Sequence, residues 1–152
     1  MLTIRIIAVG KLKEKFYLEA CREYLKRLRP MANVELVELP EESGRPDGLE
    51  REAARILEAL PRQCFVCAMC IEGKLMDSVA FAQKLADVQS RGFSSVAILI
   101  GSSNGLAPAV KQRADLRLSM SPMTFPHHLA RVMVLEQVYR GLSILAGSKY
   151  HK

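Results

Sequence analysis

The residues best suited to chemistry lie in two loops, each of which follows an apolar stretch typical of a buried strand. The first stretch, Val96–Leu106, contains a loop bounded by two glycines, and the second, Leu118–Pro126, carries two prolines. Glycine lets a backbone approach a ligand closely, and proline fixes the shape of a loop before binding. Ligands of open α/β sheets bind where loops leave the carboxyl ends of strands. We therefore expect both loops to line one cofactor pocket in the last third of the chain.

The first of these loops matches no standard phosphate-binding motif. Gly101-Ser-Ser-Asn-Gly105 lacks the lysine and hydroxyl residue of a P-loop, and its glycine spacing differs from that of a dinucleotide fingerprint. Two glycines after a strand also fit a plain tight turn. No phosphate loop follows the first predicted strand either, which disfavours a nucleotide-binding protein of the flavodoxin type.

Three histidines are candidate acid–base groups. His127 and His128 are adjacent at a predicted helix start, so their side chains point in different directions and at most one is expected to face a pocket. His151 is the penultimate residue. The histidine spacing, with no cysteine beside it, is not that of a zinc site, and no nucleophile elbow is present.

Three cysteines form a C-x-x-C-x-x-C pattern that resembles an iron–sulfur ligand run. The surrounding residues are apolar and include no glycine, which predicts a buried strand over Cys64–Ile71. On a strand, Cys64 and Cys70 face one side and Cys67 the other, so the three thiolates cannot converge. The fourth cysteine, Cys21, lies in a distant predicted helix. We therefore expect no metal and interpret the cysteines as small apolar residues.

Strand and helix patterns alternate along the chain of 152 residues. This order predicts an α/β fold of three layers, with helices on both faces of a mostly parallel sheet, in one domain over residues 1–152. A capping box of Asp47 and Glu50 is expected to open the second helix, and a turn is expected at Glu72–Lys74. The predicted strands are Leu2–Val9, Asn33–Leu39, Cys64–Ile71, Ser95–Ile100 and Leu116–Met120, and the predicted helices are Glu14–Leu28, Asp47–Leu60, Ser78–Arg91, Ala107–Ala114 and His127–Ala146.

The last helix pattern, His127–Ala146, is apolar around nearly its whole circumference. Such a helix is buried on several sides. In a chain of this size the pattern predicts packing against the sheet and against a second subunit. A central core helix in a monomer fits the same pattern.

The charge balance is basic, with 22 Lys and Arg residues against 16 Asp and Glu residues and a formal net charge of +6. This balance permits a polyanionic partner such as RNA and fits a basic enzyme equally well. The candidate phosphate contacts are Lys11, Lys13, Lys15, Arg22, Lys26, Arg27 and Arg29, and a solvated surface is the alternative for each. The apolar start, Met1–Gly10, is too short to span a bilayer and does not match a signal peptide. We expect a cytosolic protein with no membrane contact.

Six segments, in order along the chain, are Ala8–Tyr17, Glu72–Lys74, Leu99–Leu106, Met123–Arg131, Glu136–Arg140 and Tyr150–Lys152. Together they resemble the bacterial ribosomal RNA large-subunit methyltransferase H family, which belongs to the SPOUT class. The resemblance spans essentially the whole chain. Its most specific elements are the Thr-Phe-Pro-His run that begins at Thr124 and the Tyr-His tail.

The resemblance implies a sheet with a C-terminal trefoil knot and a homodimer whose site lies near the interface. The implied reaction is S-adenosylmethionine-dependent methylation of N3 of a pseudouridine in large-subunit (23S) ribosomal RNA, on the assembled ribosome. Ser102 departs from the family, which usually has a second glycine there, and Met69 replaces a common leucine. The implied cofactor contacts are Met69, Gly101, Met120, Ser121, Pro122, Met123, Thr124 and Phe125.

Methylation of an imide nitrogen requires loss of its proton, so a base or a cation that stabilises the anion would assist. Our candidates are His151 and His128 as bases and Arg131 as the anion stabiliser. The tail is expected to close over the site, and the expected RNA contacts are Arg131, Tyr150, His151 and Lys152, because a ring can stack on a base and cations can meet phosphates. A non-catalytic ribosome- or RNA-binding module on the same fold is the alternative, which the intact cofactor loops disfavour.

Overall fold

Five strands and five helices alternate along the chain in the computed structural model, which describes residues 1–152. Each predicted element is present, and every bound coincides with the predicted one or differs from it by one residue, except the end of β3. The elements are β1 (Thr3–Val9), α1 (Lys15–Leu28), β2 (Asn33–Leu39), α2 (Gly48–Ala59), β3 (Phe65–Leu75), α3 (Ser78–Ser90), β4 (Ser95–Ile100), α4 (Pro108–Arg113), β5 (Leu116–Ser119) and α5 (His127–Leu145).

The five strands form one sheet in the order β2-β1-β4-β3-β5, and every pair is parallel. The predicted parallel sheet is therefore confirmed, whereas the strand order could not be read from the sequence. Every residue of β4, at the centre, is buried. Because all strands run the same way, their carboxyl ends and the loops that follow lie along one edge.

The helices cover both faces of the sheet, as the side-chain alternation of β1 shows. Ile4 and Ile6 pack into a core shared with α1, α3 and α5. Ile7 and Val9 pack into the second core, which α2 and α4 cover. Alternate residues of a strand face opposite sides, so a strand buried on both faces reads as one continuous apolar run.

The turn predicted at Glu72–Lys74 is wrong, because these residues belong to β3, which continues to Leu75. The pairing of β3 with β5 shifts between Met69 and Lys74. A Cβ atom on Gly73 would lie 2.8 Å from the Arg117 backbone of β5. Gly73 thus permits the close approach of β3 and β5. In the sequence, a glycine that serves close packing of strands looks the same as a glycine that serves a turn.

The start of α2 also differs from its prediction. Asp47 precedes the helix, yet its side chain makes no capping hydrogen bond. Its carboxylate instead lies 3.7 Å from the guanidinium groups of Arg45 and Arg51. A side-chain cap does occur at α3, where Asp77 accepts a hydrogen bond from Ala80 N at 2.8 Å.

The last helix, α5, packs against both α1 and α3 on one face of the sheet. Gly141 allows the approach of α3, because a Cβ atom there would lie 3.3 Å from Leu85 Cδ1 and 3.4 Å from Phe81 Cδ2. Neighbours within the same chain therefore account for much of the apolar circumference of α5. None of the helices has the length and apolar character needed to cross a membrane.

Candidate active site

A cleft of about 740 Å³ lies at the carboxyl edge of the sheet, where β4 and β5 end beside the start of α5 and the stretch Met69–Glu72 of β3 forms one wall. Both loops singled out in the sequence line it. Of the predicted cofactor contacts, only Pro122 lies outside the lining. The predicted contacts that line the cleft are Met69, Gly101, Met120, Ser121, Met123, Thr124 and Phe125.

The first loop closes tightly on itself at Gly101. A Cβ atom on this glycine would lie 2.4 Å from the carbonyl oxygen of Gly105. Gly105 N donates a hydrogen bond to Ser102 O at 2.9 Å, and Gly105 itself has φ +79°. The loop therefore needs glycine at both ends and presents its backbone to the cleft.

Ser102, at the position where the resemblance implies glycine, is held by α2. Its hydroxyl lies 3.3 Å from Glu52 Oε1 and accepts a hydrogen bond from Asn104 N at 3.3 Å. Glu52 is only 3% exposed and also accepts from Glu42 N at 2.9 Å. The added side chain is thus accommodated by a polar partner on the neighbouring helix.

The second loop is shaped by serine hydroxyls that bond to its own backbone. Ser119 Oγ donates to Ser121 O at 3.1 Å and accepts from Ser121 N at 3.3 Å. Ser121 Oγ accepts from Met123 N at 3.0 Å. Such local bonds fix a loop without regular secondary structure. They leave Met123 73% exposed at the mouth of the cleft.

Glu72 and Lys111 are the charged residues in the cleft lining. Lys111 Nζ lies 2.5 Å from Glu72 Oε1. The hydrogen bond from Lys111 lowers the pKa of the Glu72 carboxyl. The two charges offset each other, so the cleft is formally neutral.

Of the two adjacent histidines, His127 lines the cleft. His128 points toward α1, where its Nδ1 lies 3.4 Å from Glu14 Oε2. Burial lowers the pKa of His127, and the neighbouring His128 lowers it further. His127 is therefore neutral near pH 7 and able to accept a proton. The base role expected of His128 does not fit its position, because adjacency in the sequence does not show which ring faces inward.

Arg131 lies away from the cleft and is 1% exposed. Its guanidinium bonds to the Glu38 carboxylate and to the carbonyl oxygen of Gly10, the latter at 3.0 Å. These contacts join the start of α5 to the ends of β1 and β2. The roles expected of Arg131, anion stabiliser and RNA contact, do not fit this buried position. Nothing in the sequence pattern distinguished this arginine from an exposed one.

The tail packs against α5, and no tail residue lines the cleft. Tyr150 Oη donates to Glu136 Oε2 at 2.7 Å, and this bond raises the pKa of Tyr150 to about 12. Arg140 Nη1 lies 3.1 Å from His151 Nδ1, and Arg140 Cζ lies 4.7 Å from the centre of the Tyr150 ring. Lys152 is exposed. In this chain the tail does not close over its own cleft, contrary to expectation.

A smaller cavity of about 360 Å³, which no sequence motif predicted, lies between α3 and α5. It shares Met69, Met120 and parts of β5 with the cleft. Glu136 and Gln137 line its far side, where Ser78 Oγ donates to Gln137 Oε1 at 2.7 Å. The residues of this cavity are distant in the sequence, so no local pattern marks it.

Cys64, just before β3, and Cys67, within β3, lie on opposite faces of the sheet, as the alternation predicted. Cys64 packs into the core beneath α2 and Cys67 into the core beneath α5. Burial raises the pKa of the Cys67 thiol to about 12. Nowhere are three or more His, Cys, Asp or Glu side chains grouped to hold a metal ion.

Comparison with known proteins agrees with the fold and identifies the family. A family model described as a predicted SPOUT methyltransferase matches residues 2–151. The ribosomal RNA large subunit methyltransferase H of Oenococcus oeni is 40% identical over 160 residues, which cover 100% of both chains. A Methanoregula boonei protein with a provisional form of the same name is 43% identical, covering 98% of this chain and 99% of its own.

Two solved structures share the fold at low sequence identity. A "probable methylase family protein" from Haemophilus influenzae aligns with a TM-score of 0.59 and 15% identity, covering 98% of this chain and 70% of that one. The tRNA (m1G37) methyltransferase of Aquifex aeolicus aligns with a TM-score of 0.56 and 14% identity, covering 90% of this chain and 69% of that one. From the full-length relatives and the family model together, the chain belongs to the SPOUT methyltransferases, in the ribosomal RNA large subunit methyltransferase H family.

Proposed function

We propose that this protein transfers a methyl group from S-adenosylmethionine to N3 of a pseudouridine in large-subunit ribosomal RNA, on the assembled ribosome. The observation that carries the proposal is the convergence of the ends of β4 and β5 with the middle of β3 on one cleft that also holds a neutral histidine. The name of the Oenococcus oeni relative, 40% identical along its whole length, supports a ribosomal RNA substrate. The pseudouridine and its N3 atom follow from the family resemblance.

The cleft residues fit the proposed methyl donor. A volume of about 740 Å³ lies within the range of small-molecule sites. Met69, Met120 and Phe125 supply apolar walls, and Gly101 permits the tight loop that lines the cleft, since a side chain there would clash with the Gly105 backbone. The donor supplies a methyl group on a positively charged sulfur. The residues of the two loops hold and orient it, which is the main contribution that a displacement reaction needs.

His127 is the residue in the cleft best placed to receive the N3 proton. Its ring is neutral near pH 7, and the loop Met120–Pro126 connects it directly to the proposed donor site. General-base assistance of this kind contributes about 10²- to 10⁴-fold in typical enzymes. In this chain His128 faces Glu14 and His151 faces Arg140, so neither lines the cleft.

The proposal includes a homodimer, a trefoil knot in the C-terminal part and a single domain over residues 1–152. Leu129, Val132 and Met133 on α5 remain half-buried, which leaves apolar surface on this helix for a second subunit. Tyr150, His151 and Lys152 remain proposed RNA contacts. In such a dimer the tail of one subunit supplies them to the cleft of its partner.

Calorimetric titration with S-adenosylmethionine, ATP and FMN tests the cofactor. Binding of S-adenosylmethionine alone is the expected result, and binding of ATP or FMN in its place would refute the assignment. Transfer of a labelled methyl group is then measured on intact large ribosomal subunits with and without the pseudouridine modification. Transfer to the modified subunits alone is expected, and equal labelling of both would remove pseudouridine from the proposal. Specific ribosome binding without donor binding or transfer would favour a non-catalytic RNA-binding module.

A further inference from the structure

The segment between β1 and the first turn of α1 carries an unusual set of exposed side chains. Lys11 and Lys13 are exposed, and the side chain of Lys15 is 88% exposed. Phe16, the next residue, is 64% exposed. A large apolar ring with this exposure adds little to the core, so its position calls for another explanation.

This basic segment, Lys11–Phe16, borders the cleft through the histidine pair. A Cβ atom on Gly10 would lie 3.8 Å from Nε2 of both His127 and His128. The carboxylate of Glu14 lies 3.4 Å from His128. Since His127 lines the cleft, the basic segment lies along its border.

The charge of the segment remains largely unneutralised. Lys11 and Lys13 make no ion pair, and Lys15 reaches only Glu19, at 3.9 Å. Glu14, the one acidic residue within the segment, is directed at His128. Solvated lysines of this kind suit contacts with phosphates, which release counterions when they are neutralised.

The aromatic residue adds a second type of contact. The Phe16 ring lies 4.4 Å from the Tyr17 ring, and the Tyr17 ring lies 6.4 Å from His128. This packing holds one side of Phe16 while most of the ring stays open. Aromatic rings interspersed with cations are the common chemistry of proteins that bind single-stranded nucleic acid, because bases stack on the rings.

We propose that the basic segment Lys11–Phe16 is a docking surface for single-stranded RNA. Its lysines contact phosphates of the strand that flanks the target nucleotide, and Phe16 stacks on one base of that strand. This inference rests on the proposed function for the presence of an RNA substrate, and adds the surface that binds the RNA outside the cleft.

The first test removes charge. The double variant Lys11→Ala/Lys13→Ala is compared with Arg62→Ala/Arg91→Ala, which removes the same charge from exposed positions that precede β3 and β4, at the edge of the sheet opposite the cleft. Fluorescence anisotropy with a short labelled single-stranded RNA is measured over a series of salt concentrations. We expect the first variant to lower the salt slope by about 1.4, because each phosphate that a lysine neutralises contributes about 0.7. The control should keep the wild-type slope.

The second test removes the ring. Phe16→Ser is expected to weaken RNA binding about tenfold, because the variant loses the stacking of one base on the aromatic ring. Phe16→Trp should retain wild-type affinity. Because the ring is mostly exposed, neither substitution should change the thermal midpoint appreciably.

The outcomes separate the docking surface from the proposed function. Every variant should bind S-adenosylmethionine as the wild type does. Equal reductions of affinity in the two charge variants, or wild-type affinity in Phe16→Ser, would overturn the docking surface. Weakened binding to large ribosomal subunits with unchanged binding to naked RNA would assign the segment to a protein partner and also overturn it. Absence of methyl transfer by the wild-type protein would instead count against the proposed function.

Discussion

At the scale of single residues, Gly101 is the position where the cleft tolerates least change. Gly101→Val places a side chain 2.4 Å from the Gly105 carbonyl oxygen, so the loop must open or shift. We expect loss of S-adenosylmethionine binding by calorimetry with a circular dichroism spectrum like that of the wild type. Ala109→Val, at an exposed position of α4, is the matched control and should bind normally. Unchanged donor affinity in Gly101→Val would remove the pocket assignment.

His127 gives the protein a predictable pH dependence. Its folded-state pKa lies below the usual value of 6.5, because burial disfavours the charged ring. The unfolded chain therefore binds more protons than the folded one as the pH falls through about 6.5 toward the lower folded-state pKa. This contribution to the free energy of unfolding is fully present above that window and is lost within it.

Denaturant unfolding between about pH 5 and pH 8 measures this dependence. His127→Gln should flatten the acidic side of the stability profile. A profile that keeps its full slope in His127→Gln would show that another group is responsible.

At the scale of elements, the bond between Ser102 and Glu52 connects α2 to the cofactor loop. Ser102→Gly removes the hydroxyl and leaves the buried Glu52 Oε1 without its partner. We expect a loss of about 1 kcal/mol in unfolding free energy, or roughly 2–4 °C in thermal midpoint for a chain of this size.

A double-mutant cycle with Glu52→Ala provides the control for that prediction. Once the carboxylate is absent, Ser102→Gly should lower the free energy of unfolding clearly less than it does in the wild type. Equal costs in both backgrounds would show that the two side chains do not interact.

The close approach of β3 and β5 at Gly73 is the second critical contact between elements. Gly73→Ala would bring a methyl group to 2.8 Å from the Arg117 backbone, so one strand must move. We expect a loss of about 1–3 kcal/mol in stability, as for other overpacked sites. Donor binding should weaken as well, because β5 leads into the second loop. Lys74→Ala, at the adjacent exposed residue, is the control, and a stable, fully binding Gly73→Ala would contradict this account.

At the scale of the whole molecule, the cysteines report on the integrity of the two cores. Cys21, Cys64 and Cys67 are at most 3% exposed, and burial raises the pKa of each thiol. Iodoacetamide should therefore modify at most Cys70 in the native protein and all four cysteines in denaturant. Mass spectrometry counts the modified sites, and native labelling of Cys67 would mean that the core beneath α5 opens readily.

The sequence by itself determined the elements and the direction of the strands. Local periodicity is set by which faces of a helix or strand are buried, and β-α alternation enforces parallel pairing. Because side chains alternate along a strand, the sequence pattern also indicated that Cys64 and Cys67 face opposite sides of the sheet. Both candidate loops were also recognisable, because glycine, serine and proline impose their effects over a few residues.

Only the tertiary structure decided which side chains meet. Strand order, the burial of Arg131 against Glu38 and the packing of the tail on Glu136 join residues far apart in the chain. The choice of His127 over His128 depends on how α5 is rotated against the sheet, which packing with α1 and α3 sets. No short-range pattern encodes such contacts, because each depends on the placement of elements that the intervening chain separates.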